Sequence, residues 1–91
     1  MSMGKDSNLV KLYIDIAKEY KDSILDSAVF YSQKSLDLAR KVRFPNGEAQ
    51  ALSYLGEFKE EKGYRQEAIR YYKEAYNLYN LLKNKARAAT M

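Results

Sequence analysis

The chain has 91 residues, enough for one domain with a modest core. Its 16 Lys and Arg exceed its 12 Asp and Glu by only 4, and 4 Gly with 1 Pro leave room for long helices and few loops. It contains no Cys, His or Trp. That excludes disulfides, thiolate or imidazole metal sites, and any nucleophile working with a histidine base.

The opening residues, Met1-Ser2-Met3-Gly4-Lys5-Asp6, have no apolar core of the kind a signal peptide needs, and residues 1–7 read as a flexible lead-in. Ser7 precedes an apolar-periodic run and is placed to cap a first helix over about residues 8–21. There Leu9, Leu12, Tyr13, Ile16, Ala17 and Tyr20 recur at three- and four-residue intervals. Lys21-Asp22-Ser23 interrupts the stripe, and Ser23 with Asp26 forms a variant of the capping box.

A second helix is predicted over about 24–42, with Ala28, Tyr31, Ser35, Leu38, Ala39 and Val42 on one face, widened by Val29 and Leu36. Arg40, Lys41 and Arg43 crowd its last turns, where the helix dipole favours cations. Phe44-Pro45-Asn46-Gly47 stops it, because proline disfavours helical backbone at the residue before it. A third helix follows over about 46–62, with Ala49, Leu52, Leu55, Gly56 and Lys59 in register and Gly63 as its C-terminal cap. The fourth spans about 65–83 and carries Ala68, Ile69, Tyr72, Ala75, Tyr76, Tyr79 and Leu82. Residues 84–91 read as the start of a further helix cut short, or a tail.

The expected fold class is therefore all-α: two stacked antiparallel helical hairpins, over 8–44 and 45–83. The chain matches itself at an offset of 40, which superposes Ala28 on Ala68, Val29 on Ile69, Tyr31 on Tyr71, Ser35 on Ala75 and Leu38 on Leu78. Upstream, Tyr13, Ile16, Ala17 and Tyr20 match Leu52, Leu55, Gly56 and Lys59 at an offset of 39, so the first turn differs from its counterpart by one residue. Such a duplication of helical pairs implies a stacked solenoid.

The second pair resembles the tetratricopeptide repeat. Leu52-x2-Leu55-Gly56-x2-Lys59 is followed by Ala68-x3-Tyr72 and then Ala75, with Gly56 and Ala68 twelve residues apart. Lys59 replaces the usual Tyr, Asn80 stands where a closing Pro is expected, and the period is near 40 instead of 34. The chain looks like a longer-period variant of the kind found in bacterial regulatory proteins. The small residues Gly56, Ala68 and Ala75 suit a close helix crossing, and Leu52, Leu55, Tyr72 and Tyr76 are expected to pack around them.

The resemblance implies a non-enzymatic scaffold that binds a peptide or partner protein in a concave groove lined by the first helix of each pair. Mapped here, that face holds Lys11, Ile14, Asp15, Lys18 and Lys21, then Gln50, Ser53, Tyr54, Glu57, Glu60 and Glu61. The groove would grade from mixed or basic to acidic, and would suit a partner with a basic segment. The same charges could equally be a solvated helix face. Some relatives clamp a terminal carboxylate with Lys and Asn. The matching places hold Ile14, Lys18, Ser53 and Glu57, which make no such clamp.

The alternatives are an oligomerisation segment of a larger regulator and a basic helical nucleic-acid binder. Residues 1–45 and 46–91 each carry 8 cations and 6 anions, interleaved. A nucleic-acid binder collects its positive charge on one face, so this pattern argues against the last. No catalytic residue, metal site or cofactor is expected, since phosphate-binding loops and nucleotide fingerprints do not occur. No apolar run approaches the roughly 20 residues of a membrane span, and a cytoplasmic location is the expectation. An apolar fourth helix with Tyr72, Tyr76, Tyr79 and Leu82 left open would self-associate, as a two-fold dimer.

Overall fold

The computed structural model describes residues 3–21 and 23–90, with side-chain surroundings for 8–21 and 23–84. Four helices follow one another: α1 (Met3–Tyr20), α2 (Leu25–Lys41), α3 (Pro45–Glu61) and α4 (Arg65–Thr90). The described residues contain no strand. α1 packs on α2, α2 on α3 and α3 on α4, while α1 meets α3 more lightly. This order is that of two antiparallel hairpins stacked through α2 and α3.

Local chemistry explains where the helices stop. At the end of α2 the Phe44 amide donates to the Ala39 carbonyl at 2.8 Å and the Arg43 amide to Arg40 at 3.3 Å. At the end of α3, Tyr64 donates to Lys59 at 2.9 Å and Gly63 to Glu60 at 3.0 Å. Both are the same Schellman closure, which satisfies the last carbonyls through one residue in left-handed backbone. Gly63 supplies it at φ +91°; Arg43 supplies it at φ 57°, a conformation that costs a side-chain-bearing residue about 1 kcal/mol or more. Pro45 then opens α3 at its first position, where the missing N–H removes no helical bond.

Three local expectations change. α1 is helical from Met3, so Ser7 lies inside the helix and the flexible lead-in does not extend over residues 3–7; Met1 and Ser2 lie outside the described residues. Ile24, not Ser23, flanks the start of α2, and no side-chain cap is made there; Asp22 lies outside the described residues. α4 runs unbroken to Thr90, past the end expected near residue 83. Asn84 alone does not stop a helix, and Lys85-Ala86-Arg87-Ala88-Ala89 are strong helix formers. Met91 lies outside the described residues.

The core runs along the stack. Ile14, Leu36, Ala51, Leu52, Leu55 and Ala75 form one buried cluster, joined by Val29, Tyr54, Tyr71 and Leu78. Ala17, Ala28 and Phe58 form a second, ringed by Tyr20, Leu25, Val29, Tyr31 and Tyr54. Among the described residues of α1, Val10, Ile14 and Ala17 are buried, whereas Leu9 and Leu12 of the expected stripe are exposed. Those three buried positions fall 41 residues before Ala51, Leu55 and Phe58, which are fully buried in α3. The first turn, residues 21–24, is accordingly one residue longer than the last, residues 62–64. The true register of the first helices is therefore 41 and not 39, and the counterpart of Gly56 is the exposed Asp15.

The second helices keep the offset of 40. Ala28 and Ser35 face α1, and the Ser35 hydroxyl donates to the Val10 carbonyl at 2.9 Å. Tyr31 stacks on Tyr20 at 5.9 Å and on Tyr13 at 6.3 Å. Forty residues on, Ala68 and Ala75 are buried toward α3, with Tyr71 half-buried beside them. At the α3–α4 crossing a Cβ on Gly56 would lie 2.8 Å from the Tyr72 ring, so only glycine lets the ring approach.

Candidate partner-binding surfaces

α1 and α3 lie side by side at the end of the stack carrying Lys18, Lys21, Tyr54 and Glu57. The Lys21 ammonium bonds Glu57 at 3.2 Å, and Lys18 sits 5.8 Å from the centre of the Tyr54 ring. Tyr54 in turn stacks on Phe58 at 5.9 Å, which anchors it in the core while leaving part of it accessible. Around these contacts Lys11, Asp15, Lys18, Glu60 and Glu61 are exposed, and Gln50, Ser53 and Glu57 are half-buried. Of the residues expected on this face, Ile14 is misplaced. It is buried against Leu36, Leu52 and Leu55, because the core-facing side of α1 runs through Val10, Ile14 and Ala17.

The acidic end of the face is more engaged than its sequence suggests. Glu57 is held by Lys21, and the Tyr72 hydroxyl donates to Glu60 at 3.0 Å from α4. Tyr72 is pushed up to about 12, first by burial, then by that hydrogen bond and the charges of Glu60, Glu57 and Glu61. Ion pairs also tie the outer layers. Arg40 of α2 bonds Glu48 of α3 at 3.1 Å and Glu74 of α4 at 3.2 Å, while Lys59 meets Glu67 at 3.5 Å. Lys62 bonds Asp26 and holds its carboxyl below the usual range.

A second accessible surface lies on α4. Ile69, Tyr72, Tyr76 and Tyr79 are exposed along one side of the helix, Tyr76 to 67%. Lys73 and Asn77 join Ile69, Tyr72 and Tyr76 around an open groove of about 460 Å³. Leu82, expected on the same surface, is half-buried. Sequence periodicity alone assigned Tyr72 and Tyr76 to helix packing. Tyr72 does pack, over Gly56, but Tyr76 is left largely exposed.

No helix among the described residues is long and apolar enough to cross a membrane. No cluster of acidic side chains among them is grouped as a metal site.

The fold defines a class before any relative is considered: an all-α stack of two helical hairpins. Comparison with known proteins agrees. The chain is 27% identical over 84 residues to "Tetratricopeptide repeat protein 29" of Trypanosoma brucei brucei, a match covering 89% of this chain and 18% of that protein. The chain thus spans less than a fifth of that relative's length. No family model and no solved structure matches. The match and the all-helical stack together support a tetratricopeptide-like helical repeat.

Proposed function

We propose that this chain is a non-enzymatic protein-binding scaffold that takes a peptide or partner protein along the face shared by α1 and α3. The observation that carries the reading is the junction of the two helices. Lys18 against Tyr54 and Lys21 against Glu57 join them into one surface, and Lys11, Asp15, Glu60 and Glu61 stay exposed around it. A half-buried aromatic ring amid charges of both signs suits recognition of an extended, charged segment. The resemblance to a tetratricopeptide repeat protein supports the same role. The 40-residue spacing between the starts of α2 and α4 fits the longer-period variant of that repeat.

Glu60 and Glu61 set the preference for a basic segment, in encounter and register more than in raw affinity. Replacing Glu57, Glu60 and Glu61 with Gln is expected to leave the melting temperature nearly unchanged and to weaken a lysine-rich peptide. Fluorescence anisotropy with such a peptide reads this out. Affinity equal to that of the parent would return these carboxylates to the role of a solvated face.

A second reading, as an oligomerisation segment closing through α4 into a two-fold pair, draws on the exposure of Tyr76 and Tyr79. Sedimentation over a range of concentrations decides it, since a dimer would shift with dilution and a monomer would not.

A further inference from the structure

The duplication itself says what kind of object belongs on the open side of α4. In α2, one face looks toward α1 through Ala28, Tyr31 and Ser35, and the adjoining one carries Val29, Ser32, Leu36 and Ala39. Ser32, Leu36 and Ala39 are buried, and Leu36 sits in a cluster with Ala51, Leu52 and Leu55 of α3. Forty residues on, the same positions of α4 are Ile69, Tyr72, Tyr76 and Tyr79, all exposed. What α3 is to α2, nothing among the described residues is to α4.

Charge distinguishes between possible occupants. Lys73 and Lys83 are exposed on the same side of α4, and neither has an ion-pair partner among the described residues. Beyond Glu74 the sequence has no acidic residue at all, while Lys83, Lys85 and Arg87 follow. Of the carboxylates near Tyr72, Glu60 accepts its hydroxyl and Glu57 is paired with Lys21, leaving Glu61 on the α3 side. A second copy docking α4 on α4 would set cations against cations, which disfavours that pairing. Size adds a further condition. Tyr72 and Tyr79 stand where α2 has Ser32 and Ala39, so a helix seated like α3 must be slimmer where it meets those rings.

We propose that the α4 stripe of Ile69, Tyr72, Tyr76 and Tyr79 is a docking surface for a partner's amphipathic helix, rich in small residues at its apolar face and flanked by acidic side chains that meet Lys73 and Lys83. This surface borders the α1–α3 face at Tyr72, whose hydroxyl donates to Glu60, and takes a partner of opposite charge preference.

The test uses the whole chain and two synthetic helical peptides of about 18 residues, five turns. They share one Ala/Leu face and differ only in Glu or Lys flanks. Anisotropy should show the Glu-flanked peptide binding about tenfold more tightly at low salt, with the difference shrinking as salt is raised. Lys73→Glu with Lys83→Glu should reverse the preference. Tyr76→Ala with Tyr79→Ala should abolish binding of both peptides while circular dichroism keeps the parent helix content, since both rings are exposed. Equal affinity for the two peptides, or a preference untouched by the charge reversal, overturns the proposal. A concentration-dependent dimer that Tyr76→Ala dissolves overturns it too, by giving the surface to a second copy.

Discussion

Three side chains show how single residues tune this stack. Ser35 and Ser32 are both fully buried on α2, yet they differ in what their hydroxyls meet. Ser35 donates to the Val10 carbonyl and pins α1 to α2, whereas the Ser32 hydroxyl has no partner among the described residues. Ser35→Ala is therefore expected to cost about 1 kcal/mol, and Ser32→Ala to stabilise by a similar amount, because a buried hydroxyl without a partner carries its full desolvation penalty. Urea unfolding of the two variants checks the opposite signs. Tyr72 makes a pH prediction. Its pKa is raised from 10.0 to about 12 in the folded chain, so folding favours its neutral form. That contribution is fully present below about pH 10 and is lost as pH rises through 12. Tyr72→Phe should flatten this part of the alkaline unfolding profile, and ultraviolet titration should show a late ionisation in the parent that the variant lacks. An identical alkaline midpoint for parent and variant would remove Tyr72 from the account.

At the scale of elements, the helix crossings depend on small residues held at one register. Gly56 admits the Tyr72 ring, and Ala68 is buried on the facing helix. Gly56→Leu and Ala68→Leu should each cost about 1–3 kcal/mol, the usual range for overpacking. The Gly56 penalty should shrink in a Tyr72→Ala background, because the same ring is what the added Cβ meets; a double-mutant cycle without coupling would place the strain elsewhere. The second hairpin was legible in the sequence for this reason. Gly56, Ala68 and Ala75 can each serve only one helix face, and Gly63 serves only a turn. The first hairpin was not. α1 offers two apolar stripes, one of large residues through Leu9 and Leu12 and one through Val10, Ile14 and Ala17, and periodicity cannot choose between them. Leu9 and Leu12 are exposed, Tyr13, Ile16 and Tyr20 are half-buried, and Ala17 belongs to both stripes, so the core-facing side takes in Ile14. Phe58, the largest fully buried side chain, escaped for a related reason. It falls at an unspecified position inside the Leu52–Lys59 motif, and only its packing with Ala17 of α1 and Ala28 of α2 shows it to be core.

For the whole molecule, the order of contacts is the property from which stability follows. α3 touches each of the other helices, α2 touches two along its length, and α4 packs on α3, with the Arg40–Glu74 ion pair reaching back to α2. Burial follows the same gradient. α3 buries Gly47, Ala49, Ala51, Leu52, Leu55, Gly56 and Phe58, whereas Ala68 and Ala75 are the fully buried residues described in α4. In a stack where each unit leans only on its neighbours, stability is a sum of helix and interface terms, and the ends open before the middle. Native-state hydrogen exchange should therefore find the slowest amides between Ala49 and Phe58. Protection should be intermediate in α2, and should fall along α4 from Ala75 toward Lys83 as the packed side gives way to the open stripe. The same acidic-flanked peptide that docks on that stripe would raise protection in α4 more than in α1, because the added interface lies against α4 alone. Uniform exchange across all four helices would mean that they unfold as one unit, and neither the gradient nor its response to a ligand at one end could then exist.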